Sequence, residues 1–430
     1  MVCYYWPPSG GGGVQRWLKF TKYLPEYGYE PIVYTPENPT SPVQDDNLLR
    51  DISPRIRVLK RPIVEPFGLY RLFTGKKQGE SQGAAFASES RRSPWKERLA
   101  NLIRSNLFIP DARVLWVKPS VRYLAELLRR EEINLVVTTG PPHSLHLIGL
   151  HLKRKLGIRW IADFRDPWSG IDYYDELLLS RWADRRQKNL ENRVLRSADL
   201  VIAVSPSNGE ELRSKGARDV RVITNGYDPA DMDTGPVALD REFSLAHIGT
   251  FMPNRNQDQL WRCLSELRDE NDGFRHNFRL RLAGKTDAGV MEALRQHNLE
   301  ACTEVSGYLP HAESVRMMKR SRLLLLAINQ TGSNRGMLTG KLYEYLASGR
   351  PILAIGPVEG DAAGILQQTG CGLISAFDDS AGLKQNILHF YSQYLQGSRE
   401  PVGIISEVEK YSRRKLSGDL AGLLDGFFAR

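Results

Sequence analysis

Short apolar runs alternate along the chain with longer stretches in which apolar residues return every three or four positions. The short runs are rich in Val, Ile and Leu and lack strict alternation, as strands buried on both faces do. In the first half they fall at 2–6, 31–34, 57–59, 135–138, 160–163, 200–204 and 220–223. The pattern restarts at 243–248, 279–283, 303–305, 323–327, 352–355 and 372–374. Strands separated by amphipathic helices predict parallel βαβ layers. Asn225-Gly226-Tyr227-Asp228-Pro229 and Asp233-Thr234-Gly235-Pro236 carry the turn formers of a linker between the halves. The expectation is two Rossmann-like domains, 1–235 and 236–405, facing across a cleft, with a long terminal helix over 406–428.

Bulk properties narrow the class. A chain of 430 residues suits two domains better than one. No stretch approaches the ~20 apolar residues of a membrane span. The start has no basic segment followed by a long apolar run, so no secretory signal is expected. Cys3, Cys263, Cys302 and Cys371 are scattered without a CxxC pair, which suits reduced thiols in a cytoplasmic protein rather than a disulfide framework or zinc site. A net charge of +9 favours anionic partners such as nucleotide phosphates or anionic lipid. Residues 75–94 are polar, Gly/Ser-rich and basic, and lead into Trp95-Lys96-Glu97-Arg98-Leu99. They read as an exposed insertion or as a basic amphipathic surface for lipid head groups.

Four segments carry chemistry. The first is Pro7-Pro8-Ser9-Gly10-Gly11-Gly12-Gly13-Val14, between a strand and a helix beginning near Val14. Gly11, Gly12 and Gly13 lack side chains, so their N–H groups can approach an anion at a helix start. The run fails the GxGxxG fingerprint, and Gly284-Lys285-Thr286 lacks the leading glycine of a Walker A loop. The second is Gly140-Pro141-Pro142-His143-Ser144-Leu145-His146; no carboxylate lies nearby in sequence to complete a metal site with its histidines. The third is Ala162-Asp163-Phe164-Arg165-Asp166-Pro167-Trp168 at a strand's C-terminal end. It reads either as a salt-bridged turn or as an acceptor site in which Trp168 stacks on sugar and Asp166 handles protons. The fourth is Leu338-Thr339-Gly340-Lys341-Leu342-Tyr343-Glu344-Tyr345-Leu346-Ala347-Ser348-Gly349-Arg350-Pro351, a loop, a helix and the approach to a buried strand. Lys341 and the N–H groups near 338–340 suit a diphosphate, and Glu344, one turn on, suits ribose hydroxyls.

Together these segments resemble glycosyltransferase family 4 of the GT-B fold, closest to the bacterial branch that builds lipopolysaccharide, O-antigen or capsule. The resemblance rests on Pro7 to Gly13, Arg165-Asp166-Pro167-Trp168, Asn225 to Asp228, and Lys341 to Pro351, spanning nearly the whole chain. It implies a GT-B α/β fold whose segment 406–430 crosses back to the first domain. It implies a retaining transferase that takes a sugar from a nucleotide-diphosphate donor without metal or cofactor. The acceptor would be a glycan or lipid-linked sugar, and the protein would be cytoplasmic, with an anionic membrane surface as a further partner and no nucleic acid. The implied catalytic residues are Asp166, Arg165 and Lys341. Donor contacts fall on Gly11, Gly12, Gly13, Thr250, Arg255, Lys285, Leu338, Thr339, Gly340 and Glu344, and acceptor contacts on His143, Asp163 and Trp168. Glu344 matches the second glutamate of the family's E-x7-E pattern, whereas Gly336 stands at the first, where Asn334 or Arg335 would have to serve. A non-hydrolysing sugar-nucleotide epimerase and an inactive glycan-binding homologue are the competing readings.

Overall fold

The computed structural model describes residues 1–41, 43–65, 102, 105–172, 174–398 and 400–428. Most of the basic segment 75–104 therefore lies outside the described residues. The chain forms two compact units, Met1–Ile223 with Ser417–Arg430, and Thr224–Leu416. These boundaries replace the expected divisions at 235/236 and 405/406.

In the first unit, β1 (Ile32–Pro36) pairs with β2 (Arg57–Arg61), and β3 (Leu135–Gly140), β4 (Arg159–Phe164), β5 (Leu200–Ala203) and β6 (Val220–Val222) follow in order, all parallel. Val2 bridges β1 and β3 by pairing with Tyr34 and Thr138. The expected first strand, 2–6, is thus reduced to its opening residues, because the chain turns where the Ser9 N–H bonds the Trp6 carbonyl. Helix α1 (Gly12–Tyr23) starts in the glycine run. Helices α2 (Val117–Arg130), α3 (Ser144–Leu156) and α4 (Arg181–Ser197) pack side by side in that order. The core they close includes Trp116, Leu124, Leu128, Ile148, Leu152, Trp160 and Leu195, all nearly inaccessible.

The second unit holds one parallel sheet: β7 (Phe243–Ile248), β8 (Phe278–Ala283), β9 (Thr303–Gly307), β10 (Leu323–Ala327), β11 (Ile352–Ile355) and β12 (Gly372–Ser375). Their spatial order is β12-β11-β10-β7-β8-β9. That is the doubly wound order, whose switch point lies between β7 and β10. Each of β7, β10 and β11 is buried throughout, which explains the unbroken apolar runs in the sequence. Helices α5 (His311–Arg320) and α6 (Gly340–Ser348) pack together beside the sheet.

The expected single terminal helix is two. A short helix, Ile405–Glu409, ends before α7 (Arg413–Phe428). Between them Ser412 pairs with Tyr227: the Tyr227 N–H bonds the Tyr411 carbonyl at 3.1 Å, and the Arg413 N–H bonds the Tyr227 carbonyl at 2.7 Å. Gly226 permits this approach, since a Cβ there would stand 2.2 Å from the Tyr411 carbonyl oxygen. From Ser417 onward α7 belongs to the first unit. Leu416, Leu420 and Leu424 are buried, and Tyr29 donates a hydrogen bond to Asp425.

Candidate functional site

In the second unit the sequence candidates converge on the switch point. β7 ends in His247-Ile248 and passes into Gly249 at φ 111°, a conformation that favours glycine. The missing Cβ makes room for a cation: a Cβ on Gly249 would lie 2.3 Å from Lys341 Cε and 2.8 Å from Nζ. Lys341 Nζ is 3.2 Å from His247 Nε2 and 3.4 Å from the Thr250 carbonyl. Arg255 reaches the same carbonyl through Nη1 at 3.2 Å, and its Nε donates to Asn329 Oδ1 at 2.7 Å, just past β10. Two cations therefore meet at one carbonyl oxygen, beside the start of α6.

The electrostatics follow from that crowding. Burial, and after it the Arg255 charge, lower the Lys341 pKa to about 7, against a smaller opposing pull from Glu344. Burial and the Lys341 charge hold His247 neutral, with a pKa of about 3. A neutral His247 places its proton on Nδ1 toward the Leu325 carbonyl at 3.2 Å and leaves Nε2 to accept from the lysine. Free N–H groups at Gly340 and Lys341 open α6, as in any helix, and Gly340 is exposed with open space around its Cα. The arrangement offers two cations and a helix start to an anion.

The remaining donor candidates divide. Leu338 is buried and supports the loop, and Thr339 has a buried hydroxyl without a hydrogen-bond partner among the described residues. Glu344 stands one turn after Lys341, partly exposed, with Oε1 3.4 Å from His311 Nε2 on α5. Thr250 is exposed, and so is Lys285, whose carbonyl accepts the Phe251 N–H at 2.9 Å. Gly336 is buried in a short turn, Asn334–Gly336, where the Asn334 amide donates to the Asn329 carbonyl at 3.0 Å. His247, Asn329 and His311 were not singled out in the sequence. They are lone residues at strand and helix ends, and only strand-end position together with burial could have pointed to them.

In the first unit the glycine run forms the open start of α1. Gly11 has φ 90°, and both Gly11 and Gly12 are exposed with nothing within 4 Å of an added Cβ. Gly13 differs, because Arg165 Nη1 would lie 2.9 Å from a Cβ placed there. Arg165 donates to the Gly13 carbonyl and to the Pro141 carbonyl, tying the glycine loop to the turn after β3. Its guanidinium therefore braces the two loops beside Asp166.

Asp163 requires correction. It is fully buried and accepts from Arg16 Nη2 at 2.9 Å, Arg16 Nε at 3.1 Å, Trp17 Nε1 at 2.7 Å and Thr139 Oγ1 at 2.7 Å. An acceptor sugar cannot reach a carboxylate so enclosed; it is a counter-ion that fastens α1 to the sheet. Asp166, in contrast, is exposed and makes no side-chain hydrogen bond among the described residues. Enclosure by neighbouring residues raises its pKa, and the Arg165 charge opposes that rise.

His143 and Trp168 stack with ring centroids 4.8 Å apart and planes at 9°. They line a cavity of about 320 Å³ with Tyr5, Phe108, Pro142 and Ile171. The Trp168 indole N–H is already held by Gln187 at 2.8 Å, so only ring surface remains for a ligand. Burial and the neighbouring His146 and Arg165 hold His143 neutral.

A doubly wound sheet with cations and a helix start gathered at its switch point defines a nucleotide-binding type of α/β unit. The comparisons specify the class. Residues 84–231 match the model of glycosyltransferase family 4, and residues 242–393 match that of glycosyl transferases group 1. The chain is a glycosyltransferase of the GT-B fold, and the two matches are consistent with glycosyltransferase family 4. Comparison with curated protein sequences gave no match. Among solved structures, sucrose-phosphate synthase from Thermosynechococcus elongatus is 15% identical at a TM-score of 0.61, covering 100% of this chain and 98% of its own. Anabaena HepE in complex with UDP and glucose is 16% identical at a TM-score of 0.57, covering 99% and 98%. WaaG, a glycosyltransferase involved in lipopolysaccharide biosynthesis, is 13% identical at a TM-score of 0.55, covering 98% of each. At these identities the likeness concerns the fold. No helix among the described residues is long and apolar enough to cross a membrane.

Proposed function

We propose that the protein is a retaining glycosyltransferase that moves a sugar from a nucleotide-diphosphate donor to a glycan or lipid-linked acceptor in cell-surface polysaccharide synthesis. The observation that carries the reading is Lys341, lying over the Cα of Gly249 beside Arg255 at the start of α6. Departure of the sugar leaves negative charge on the diphosphate, and fixed cations and N–H groups there stabilise that charge as it develops. Glu344 accepts hydrogen bonds from the donor ribose. Transfer proceeds on one face: the acceptor hydroxyl attacks the anomeric carbon while the departing phosphate oxygen takes its proton, so configuration is retained. Asp166, exposed beside the braced Arg165, orients the acceptor, and the His143–Trp168 stack offers ring surface to it. The cationic pair takes the charge-neutralising role that a metal fills elsewhere, and an anionic membrane surface is a further partner.

The test is a panel of UDP-, GDP-, ADP- and TDP-sugars scored by thermal shift, since a bound donor stabilises according to its affinity. One donor should stand out, its transfer should survive EDTA, and the product should keep the donor's anomeric configuration. Inversion would remove the same-face mechanism. Stabilisation by no nucleotide diphosphate would remove the donor assignment.

A further inference from the structure

We propose that the face formed by α2 and α3 is a docking surface for a bilayer carrying anionic lipid. An open groove of about 450 Å³ between these helices is lined by Lys118, Arg122, His151, Arg154 and Lys155, with Val121 as the one other lining residue. Among the described residues no carboxylate lines it. A second groove continues along α2, where Arg61 lies over the Tyr123 ring at 4.1 Å and Glu126 is the one acidic member.

The gathering of several uncompensated cations around one groove carries the argument. Some cations of this unit have acidic partners, Lys153 with Asp199 at 2.6 Å, Lys188 with Asp184 at 3.0 Å and Lys215 with Glu191 at 3.1 Å, whereas others such as Arg55 and Arg218 have none among the described residues. Lys118, Arg122, Arg154 and Lys155 are exposed and form no ion pair among the described residues. Their field reaches neighbouring groups: after burial, Arg154 and then Arg193 of α4 are what lower the proton affinity of His151. Like charges gathered on one face repel, and an anionic partner relieves that repulsion.

The geometry selects the partner. All four full cations are exposed on a shallow face, so they suit many weak contacts to a charged plane rather than one enclosed phosphate. Among the described residues no aromatic ring lines the α2–α3 groove, and in its continuation Tyr34 and Trp116 are buried and Tyr123 is covered by Arg61, so little ring surface is left for a nucleic-acid base to stack on. The proposal deepens the membrane part of the function proposed above and rests on it for its biological purpose. The charge arrangement stands independently of the donor site.

Sedimentation of the full chain with vesicles of phosphatidylcholine and phosphatidylglycerol at 7:3, against pure phosphatidylcholine, tests it. The wild type should bind the mixed vesicles alone and be released by 0.5 M salt, which shortens electrostatic range to a few ångströms. Each cation near such a surface contributes about fivefold in partitioning. The quadruple variant Lys118→Gln, Arg122→Gln, Arg154→Gln, Lys155→Gln should therefore lose binding several hundred-fold, to order of magnitude. A control removing four exposed arginines elsewhere, Arg218→Gln, Arg262→Gln, Arg295→Gln, Arg316→Gln, should lose far less. Equal loss in both variants, or unchanged binding in the first, overturns the proposal. So does wild-type binding to inorganic pyrophosphate or RNA that the first variant alone loses, with vesicles left unbound by both. Thermal shift with nucleotide sugars, unchanged in the quadruple variant, confirms folding and separates this outcome from failure of the donor reading.

Discussion

Lys341 supplies the sharpest quantitative test of the donor site. Its free pKa is lowered to about 7 because burial and Arg255 penalise the ammonium. A bound diphosphate reverses that penalty, since its negative charges favour the protonated form. At pH 8 a group of pKa about 7 is protonated in roughly one molecule in eleven, so diphosphate binding should take up about 0.9 proton. At pH 6 nearly all molecules carry the proton already, and uptake from this lysine should fall to about 0.1. The sign is fixed: binding weakens as pH rises through the free-state pKa. Between pH 7 and 9 the apparent Kd for UDP should rise about fifty-fold, the ratio of the unprotonated penalties at the two values. UDP contributes little to this change, because its terminal phosphate ionises near pH 6. Calorimetry at pH 8 in two buffers of different ionisation enthalpy measures the uptake directly, and Lys341→Gln should abolish it. A wild-type uptake below about 0.2 at pH 8, with affinity flat from pH 7 to 9, would show that the lysine does not meet the diphosphate.

Three further outcomes follow from the same geometry. Gly249→Ala puts a methyl 2.3 Å from Lys341 Cε at a φ of 111°; losing the charge-assisted contact should weaken UDP binding about ten- to hundredfold, and wild-type affinity by calorimetry would contradict the placement. Asp163→Ala removes the buried carboxylate that balances the Arg16 charge, and should cost the first unit about 3–5 kcal/mol in urea denaturation; a change below 1 kcal/mol would contradict the counter-ion role. Glu344→Ala should raise the donor KM about tenfold or more with little change in kcat, and should narrow the preference for a ribose donor over its 2′-deoxy analogue. A variant that discriminates between the two as the wild type does would remove the ribose assignment.

Strands were legible because buried parallel strands leave an unbroken apolar signature, as Leu323–Ala327 and Ile352–Ile355 show. The break before α7 was not legible. It depends on Tyr227 pairing with Ser412, a contact between segments remote in sequence that only a close approach at Gly226 allows. The role of Asp163 was hidden for the same reason. Its strongest partner, Arg16, lies 147 positions away, and a carboxylate beside an arginine and an aspartate reads locally as a site. His247 gave no signal, because a single histidine in an apolar strand looks like any core residue until the lysine above it is placed.

Gly13 and Gly249 show why residue type alone could not separate support from chemistry. Each sits where a loop leaves its strand or enters its helix, and at each a missing Cβ lets a cation lie against the backbone: Arg165 at one, Lys341 at the other. The two cations differ in what already holds them. Arg165 donates to two carbonyls that lock it between loops, so a ligand would have to break those bonds to engage it. Lys341 is held more loosely, by a neutral imidazole at 3.2 Å and one carbonyl at 3.4 Å. Its ammonium keeps most of the cost of burial until an anion arrives, which raises the gain from binding a diphosphate there. In the sequence the pairs look alike, a glycine and a distant basic residue. Only the acceptor atoms around each cation distinguish a brace from a binding group.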